Sequence, residues 1–155
     1  MGTGMTKKDE DKYLRAFETI DEAANAYLQT LDVNAAGMTQ TIQRARAIDT
    51  IQKALSNEII ENIVKPLENV PLGFMTDRND AKGYPLETLR SCLVQAMLHG
   101  ARLDGNEFNI VKGNVMLVQN YWKRMVAELP GVSHVTVDFG GVERKGNEAA
   151  IECLA

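Results

Sequence analysis

The chain has 155 residues, 45% of them hydrophobic and 25% charged, with a formal net charge of −4. That length and composition fit one compact domain, with no apolar run near the roughly 18 residues of a membrane span. The acid balance argues against a general polyanion binder, and two cysteines with two histidines match neither a disulfide framework nor a zinc-site spacing.

The polar N-terminus (MGTGMTKKDEDK) has neither a signal-peptide apolar stretch nor an Arg-rich targeting pattern. Leu14, Phe17, Ile20, Ala24, Leu28 and Leu31 follow at helical steps and predict a first helix over about 10–31. Asp32-Val33-Asn34 interrupts it. Met38, Ile42, Ala45, Ile48, Ile51 and Leu55 predict a second helix from about Ala36. Ser56 reads as the N-cap of a third, carrying Ile59, Ile60, Ile63 and Val64 and stopped by Pro66. Residues 66–85, with three prolines and the cluster Asp77-Arg78-Asn79-Asp80, read as a long loop. The expected organisation is therefore a helical region over 1–65, a linker over 66–85 and an α+β core over 86–155.

After Pro85 the pattern Leu86, Leu89, Leu93, Ala96, Met97, Gly100 predicts a helix, with Gly100 and Gly105 at its exit. The period then falls to two. Phe108 to Val111 and Val115 to Val118 read as a hairpin around Gly113-Asn114. A helix is expected from Gln119 to Leu129, stopped by Pro130-Gly131. His134 to Phe139 and Ala149 to Leu154 read as two further strands. Gly140-Gly141 permits a turn or bulge between them, and Arg144-Lys145-Gly146-Asn147 a second turn. The order of N-terminal helices, then helix, hairpin, helix, hairpin, is an α+β plan.

No catalytic fingerprint is present, Asp104-Gly105-Asn106-Glu107 fails the calcium-loop spacing, and His99 reads as a solvated surface histidine. No enzyme, cofactor or metal is expected. Charge is uneven: residues 1–80 carry 13 acids and 9 bases, whereas 81–155 carry 8 of each. The later half is thus less repulsive towards a phosphate backbone. Tyr121-Trp122-Lys123-Arg124 sets two aromatic rings beside two cations at a strand-to-helix junction, the chemistry that holds single strands by stacking and phosphate contact. Trp122 shares a helical face with Met125, Val126 and Leu129 and is expected to pack rather than stack on a base. Lys112 and Asn114 in the first hairpin, with Arg144 and Lys145 in the later turn, complete the contacts expected from chemistry alone.

The stretches PLGFMTD (71–77) and PLETLRSCLVQAMLHGARLDGNEFNIVKGNVMLVQNYWKRMVAEL (85–129) resemble phage proteins of the RecT/Red-beta single-strand annealing superfamily. Leu93, Ala96, Gly100 and Leu103 match its helix pattern. Asn106 to Val111 and Gly113 match its strand and turn. Gln119 stands where members often carry Lys, a departure from the family pattern, and is counted among the candidate contacts. The resemblance implies ATP-independent binding of single-stranded DNA and strand annealing in recombination. It further implies self-association into rings or filaments, a partner exonuclease and a cytoplasmic setting in a bacterial host. It also implies further elements beyond residue 155, so that the RecT-like core here is expected to be incomplete. The alternative is a RecT-like assembly module that barely binds DNA.

Overall fold

A computed structural model describes residues 6–31, 37–78, 82–131, 138–145 and 148–154, the last two ranges by their backbone. The fold is α+β. Two compact units divide the chain, Met1–Tyr121 and Trp122–Ala155.

In the first unit, α1 (Lys7–Leu28) opens on a capping box: Thr6 Oγ accepts from the Asp9 amide, and the Asp9 carboxylate accepts from the Thr6 amide. Its inward stripe is Tyr13, Phe17, Ile20, Ala24 and Tyr27, at steps of 4, 3, 4 and 3. The expected stripe was turned by about one residue at its ends, because Leu14 and Leu31 are exposed. A tyrosine ring can take a core position when its hydroxyl finds a partner. The Tyr13 hydroxyl donates to Glu58 Oε1 at 2.9 Å and accepts from Asn62 Nδ2 at 3.1 Å.

Helix α2 (Gly37–Ala54) packs against α1 and buries Ala47 and Ile51, while Met38 and Ile42 at its start are exposed. The break at Asp32-Val33-Asn34 lies outside the described residues. Ser56 is the expected N-cap, its Oγ accepting from the Ile59 amide at 3.3 Å. The short α3 (Asn57–Ile59) runs on as a π-helix over Ile60–Val64 and a 3-10 turn over Lys65–Leu67, and Glu68 is extended. Ile59, Ile60 and Val64 are fully buried along this segment.

The stretch 66–85 is not a linker between units. Asn69 takes a left-handed conformation (φ 60°) and its side chain holds the amide and hydroxyl of Thr76. Gly73 passes so close to Leu67 that a Cβ would stand 2.0 Å from the Leu67 carbonyl oxygen. The chain then drops Phe74 into the core, where its ring stacks on Phe108 with centroids 5.2 Å apart. Strand β1 (Met75–Thr76) follows at once and pairs in parallel with β2 (Phe108–Val111). Nothing in the local sequence of a proline-rich segment announces this, because both partners lie more than thirty residues away.

Helix α4 (Leu86–Leu98) buries Leu89, Cys92, Leu93, Val94, Ala96 and Leu98, more than one stripe holds. The breadth follows from its place, packed by α1, α2 and the sheet. Arg90 ties α4 to α2, its Nε donating to the Leu55 carbonyl at 2.9 Å. Gly100 (φ 74°) ends the helix as expected, with the Ala101 amide on the Ala96 carbonyl and the Gly100 amide on the Met97 carbonyl.

Strands β2 and β3 (Asn114–Leu117) form the hairpin one residue earlier than expected. The two-residue turn is Lys112-Gly113, both with positive φ (51° and 73°), and Val111 pairs with Asn114. Two consecutive left-handed residues match the right-handed twist of the flanking strands. The sheet order is β1-β2-β3. Phe108 and Ile110 are buried on one face, whereas Met75, Asn109 and Met116 form a row across the other.

Helix α5 (Gln119–Ala127) begins at the end of the first unit. The second unit holds β4 (Asp138–Lys145) paired antiparallel with β5 (Glu148–Leu154). The register advances three residues from Phe139 to Val142 against two from Cys153 to Ile151, so Gly140-Gly141 make the bulge that the glycine pair permits. Arg144 and Lys145 are strand residues opposite Ala149 and Glu148, a correction to their expected place in a turn. The expected start of the strand at His134 and the Gly146-Asn147 turn lie outside the described residues.

Candidate nucleic-acid interface

The expected contacts are divided between the two units. Lys112 is exposed at the hairpin tip, and Asn114 beside it donates from Nδ2 to the Lys112 carbonyl at 3.0 Å. Gln119 is exposed at the start of α5, the length of β3 away, roughly 13 Å at 3.3 Å per residue. Lys123 is exposed in the second unit. Arg124, in that unit too, bonds Glu128 at 3.0 Å with its side chain 17% exposed. The side chains of Arg144 and Lys145 lie outside the described residues. The structure therefore brings together Lys112 and Asn114, with Gln119 beyond the far end of β3.

Tyr121 is the clear correction. It is 5% exposed, and its hydroxyl donates to the His99 carbonyl at 2.7 Å, satisfying an acceptor at the C-terminus of α4. A ring so placed has no face to offer a base. Its neighbour Trp122, expected to pack, is instead 55% exposed. One residue is about 100° of helix, and the core took Tyr121 because its hydroxyl reaches a carbonyl that needs a donor.

Around the hairpin tip, three distant segments meet. Asp77 Oδ2 accepts from the Lys112 amide at 2.9 Å, and Asp77 Oδ1 accepts from the Tyr84 hydroxyl. The Tyr84 oxygen in turn accepts from the Gly113 amide at 3.0 Å. Behind the turn the Cys92 thiol donates to the Gly113 carbonyl at 3.3 Å. Both amides of the left-handed turn are thus held by side chains from 77 and 84. Residue composition gives no signal for Tyr84, and Asp77 carries only its place at the end of PLGFMTD and at the head of the charged cluster Asp77-Arg78-Asn79-Asp80.

The hydrogen bonds from Tyr84 and the Lys112 amide hold the Asp77 carboxyl below the usual range, while Asp77 pushes the Tyr84 phenol up. A lowered folded-state pKa contributes stability that is present above the unfolded value near 3.9 and lost as pH falls through the folded value. Melting from pH 7 down to pH 3 is therefore expected to show a smaller acid loss in Asp77→Asn than in the parent. Parallel curves for the two proteins would remove Asp77 from the acid response. Burial pushes the Cys92 thiol up, which makes it a packing group rather than a nucleophile.

Glu107 is the buried charged residue of the described chain, 4% exposed. Its Oε2 accepts from the Arg102 amide at 2.8 Å, and its carbonyl accepts from the Val118 amide at 3.0 Å. It organises the loop between α4 and β2 from below, a structural task for a residue of the GNEFNIV stretch. Among the described residues no group of three or more His, Cys, Asp or Glu is placed to hold a metal ion. No helix among them is long and apolar enough to cross a membrane.

Comparison with protein-family models, with curated proteins and with solved structures gives no match.

Proposed function

We propose that the chain binds single-stranded DNA and anneals complementary strands without ATP, in the manner of the RecT/Red-beta superfamily that its sequence resembles. The observation that carries the reading is the hairpin of the GNEFNIVKG stretch. Its tip presents Lys112 to solvent while both turn amides are pinned from behind. A strand-annealing protein must grip sugar and phosphate and leave the bases free to pair. A rigid turn bearing a cation suits that task, and no catalytic group is required. Gln119, Lys123, Arg144 and Lys145 remain part of the proposed contact set, and Arg124 with them through its partly exposed side chain. Self-association, a partner exonuclease and a bacterial cytoplasmic setting belong to the same proposal.

Titration of a fluorescent oligonucleotide at two salt concentrations tests it. Binding at micromolar protein is expected to weaken with salt, and Lys112→Gln to flatten the logarithmic salt slope by about 0.7, the value for one single-strand phosphate contact. Salt-insensitive or undetectable binding would sink the reading.

One observation favours a second reading, an assembly module. Met75, Val111 and Met116 are 41%, 39% and 56% exposed on the outward face of the sheet. Light scattering separates the two: assembly indifferent to added oligonucleotide supports the module, and assembly that changes with it supports the annealing protein.

A further inference from the structure

The 77–84 segment that holds the hairpin tip also carries a cation of its own. Arg78 is exposed, and its guanidinium lies over the Tyr84 ring, 4.9 Å from the centroid. Its backbone is fixed as well, the carbonyl accepting from Asn69 Nδ2 at 3.1 Å and from Thr76 Oγ at 3.2 Å. Tyr84 is 5% exposed and bonded to Gly113, the neighbour of Lys112. One buried ring therefore links Arg78 and Lys112, which are 34 positions apart in sequence.

We infer that Arg78 and Lys112 together form a two-cation seat for a backbone phosphate of single-stranded DNA, with Tyr84 and Asp77 positioning the pair. The inference rests on the single-strand reading above. A guanidinium held over a ring keeps its charge and its planar fork of N–H donors, which fits two phosphate oxygens. Among the described residues that guanidinium donates no hydrogen bond, and the Lys112 ammonium has no acceptor. The carboxylate between them does not use either donor set. Both of its oxygens turn to the Tyr84 hydroxyl and the Lys112 backbone amide. A second acid lies at the corner, Glu68, whose Oε1 accepts from the Tyr84 amide at 3.1 Å and from Thr76 Oγ at 3.4 Å, so the two cations face two carboxylates that are each bonded to other donors. What stays open is the donor pair of Arg78 and Lys112. A phosphodiester, carrying one negative charge and free oxygens, complements it.

Oligonucleotide titration across a salt series on the full chain tests the seat. Arg78→Gln is expected to weaken binding about threefold to tenfold and to flatten the salt slope by about 0.7. Arg78→Lys keeps the charge but loses the fork and the stack, so affinity should fall with the slope retained. Tyr84→Phe keeps the ring and drops its bonds to Asp77 and Gly113, and the same pattern is expected of it as a positioning residue. Melting of Arg78→Gln should match the parent, as befits an exposed side chain. If the parent binds with salt dependence and Arg78→Gln matches it in affinity and slope, the seat is overturned and the single-strand reading stands. If the parent shows no salt-dependent binding, both fall.

Discussion

Replacing Phe74 with Ala should destabilise the first unit by about 3–5 kcal/mol, the usual cost of truncating a buried aromatic. The side chain is fully buried and stacks on Phe108, so the change removes transfer energy and leaves a cavity beside β2. Relaxation is limited there. Gly73 is already pressed on the Leu67 carbonyl and Met75 is tied to Asn109, so neither neighbour can move in to fill the space. Leu72→Ala, two residues earlier and 76% exposed, is the matched control and should stay within about 0.5 kcal/mol. Urea denaturation of the two variants decides whether 66–85 belongs to the core. A Phe74→Ala cost no larger than the control would return the segment to the status of a linker.

Glu107→Ala should cost roughly 1.5–3 kcal/mol, the range for a hydrogen bond to a charged group. The carboxylate is buried under the loop it organises, and its removal leaves the Arg102 amide without that acceptor. Asp104→Ala, in the same loop but exposed, should be near neutral. The second readout is amide hydrogen exchange. The Arg102 amide should exchange faster in Glu107→Ala while amides of α4 keep their relative protection. Equal stability of the two variants would mean that the loop holds its shape without the carboxylate.

Both sites bear on the proposed function through the hairpin. Phe108 begins β2 and Glu107 precedes it, so the strand that carries Lys112 is anchored at its base by these two residues. At the tip the anchors are Asp77 and Tyr84. The Lys112 turn is therefore fixed at both ends, which lowers the conformational entropy lost when a ligand is gripped there.

The sequence alone determines much of this fold. Local sequence determines an element when its own residues supply the signal. Ser56 as a cap, Gly100 as a left-handed helix end and Gly140-Gly141 as a bulge each depend on backbone chemistry within a few positions. The alternation of two four-residue strands around a turn sufficed for the first hairpin, although Gly113-Asn114 drew the turn one residue late. The α+β class follows from the same local periods.

Tertiary structure decided what depends on partners distant in sequence. Which face of α1 turns inward was settled by Glu58 and Asn62 meeting the Tyr13 hydroxyl, not by the count of leucines. Tyr121 rather than Trp122 entered the core because its hydroxyl reaches the His99 carbonyl. The segment 66–85 lacks periodicity because its order comes from side-chain bonds such as Asn69 to Thr76 and from partners outside it, Phe108, Asn109 and the turn amides that Asp77 and Tyr84 hold. A helical or strand period reports only on a residue's near neighbours. The convergence of residues 77, 78, 84 and 112 on one corner is a long-range event, and it took the folded chain to bring Arg78 beside the hairpin tip.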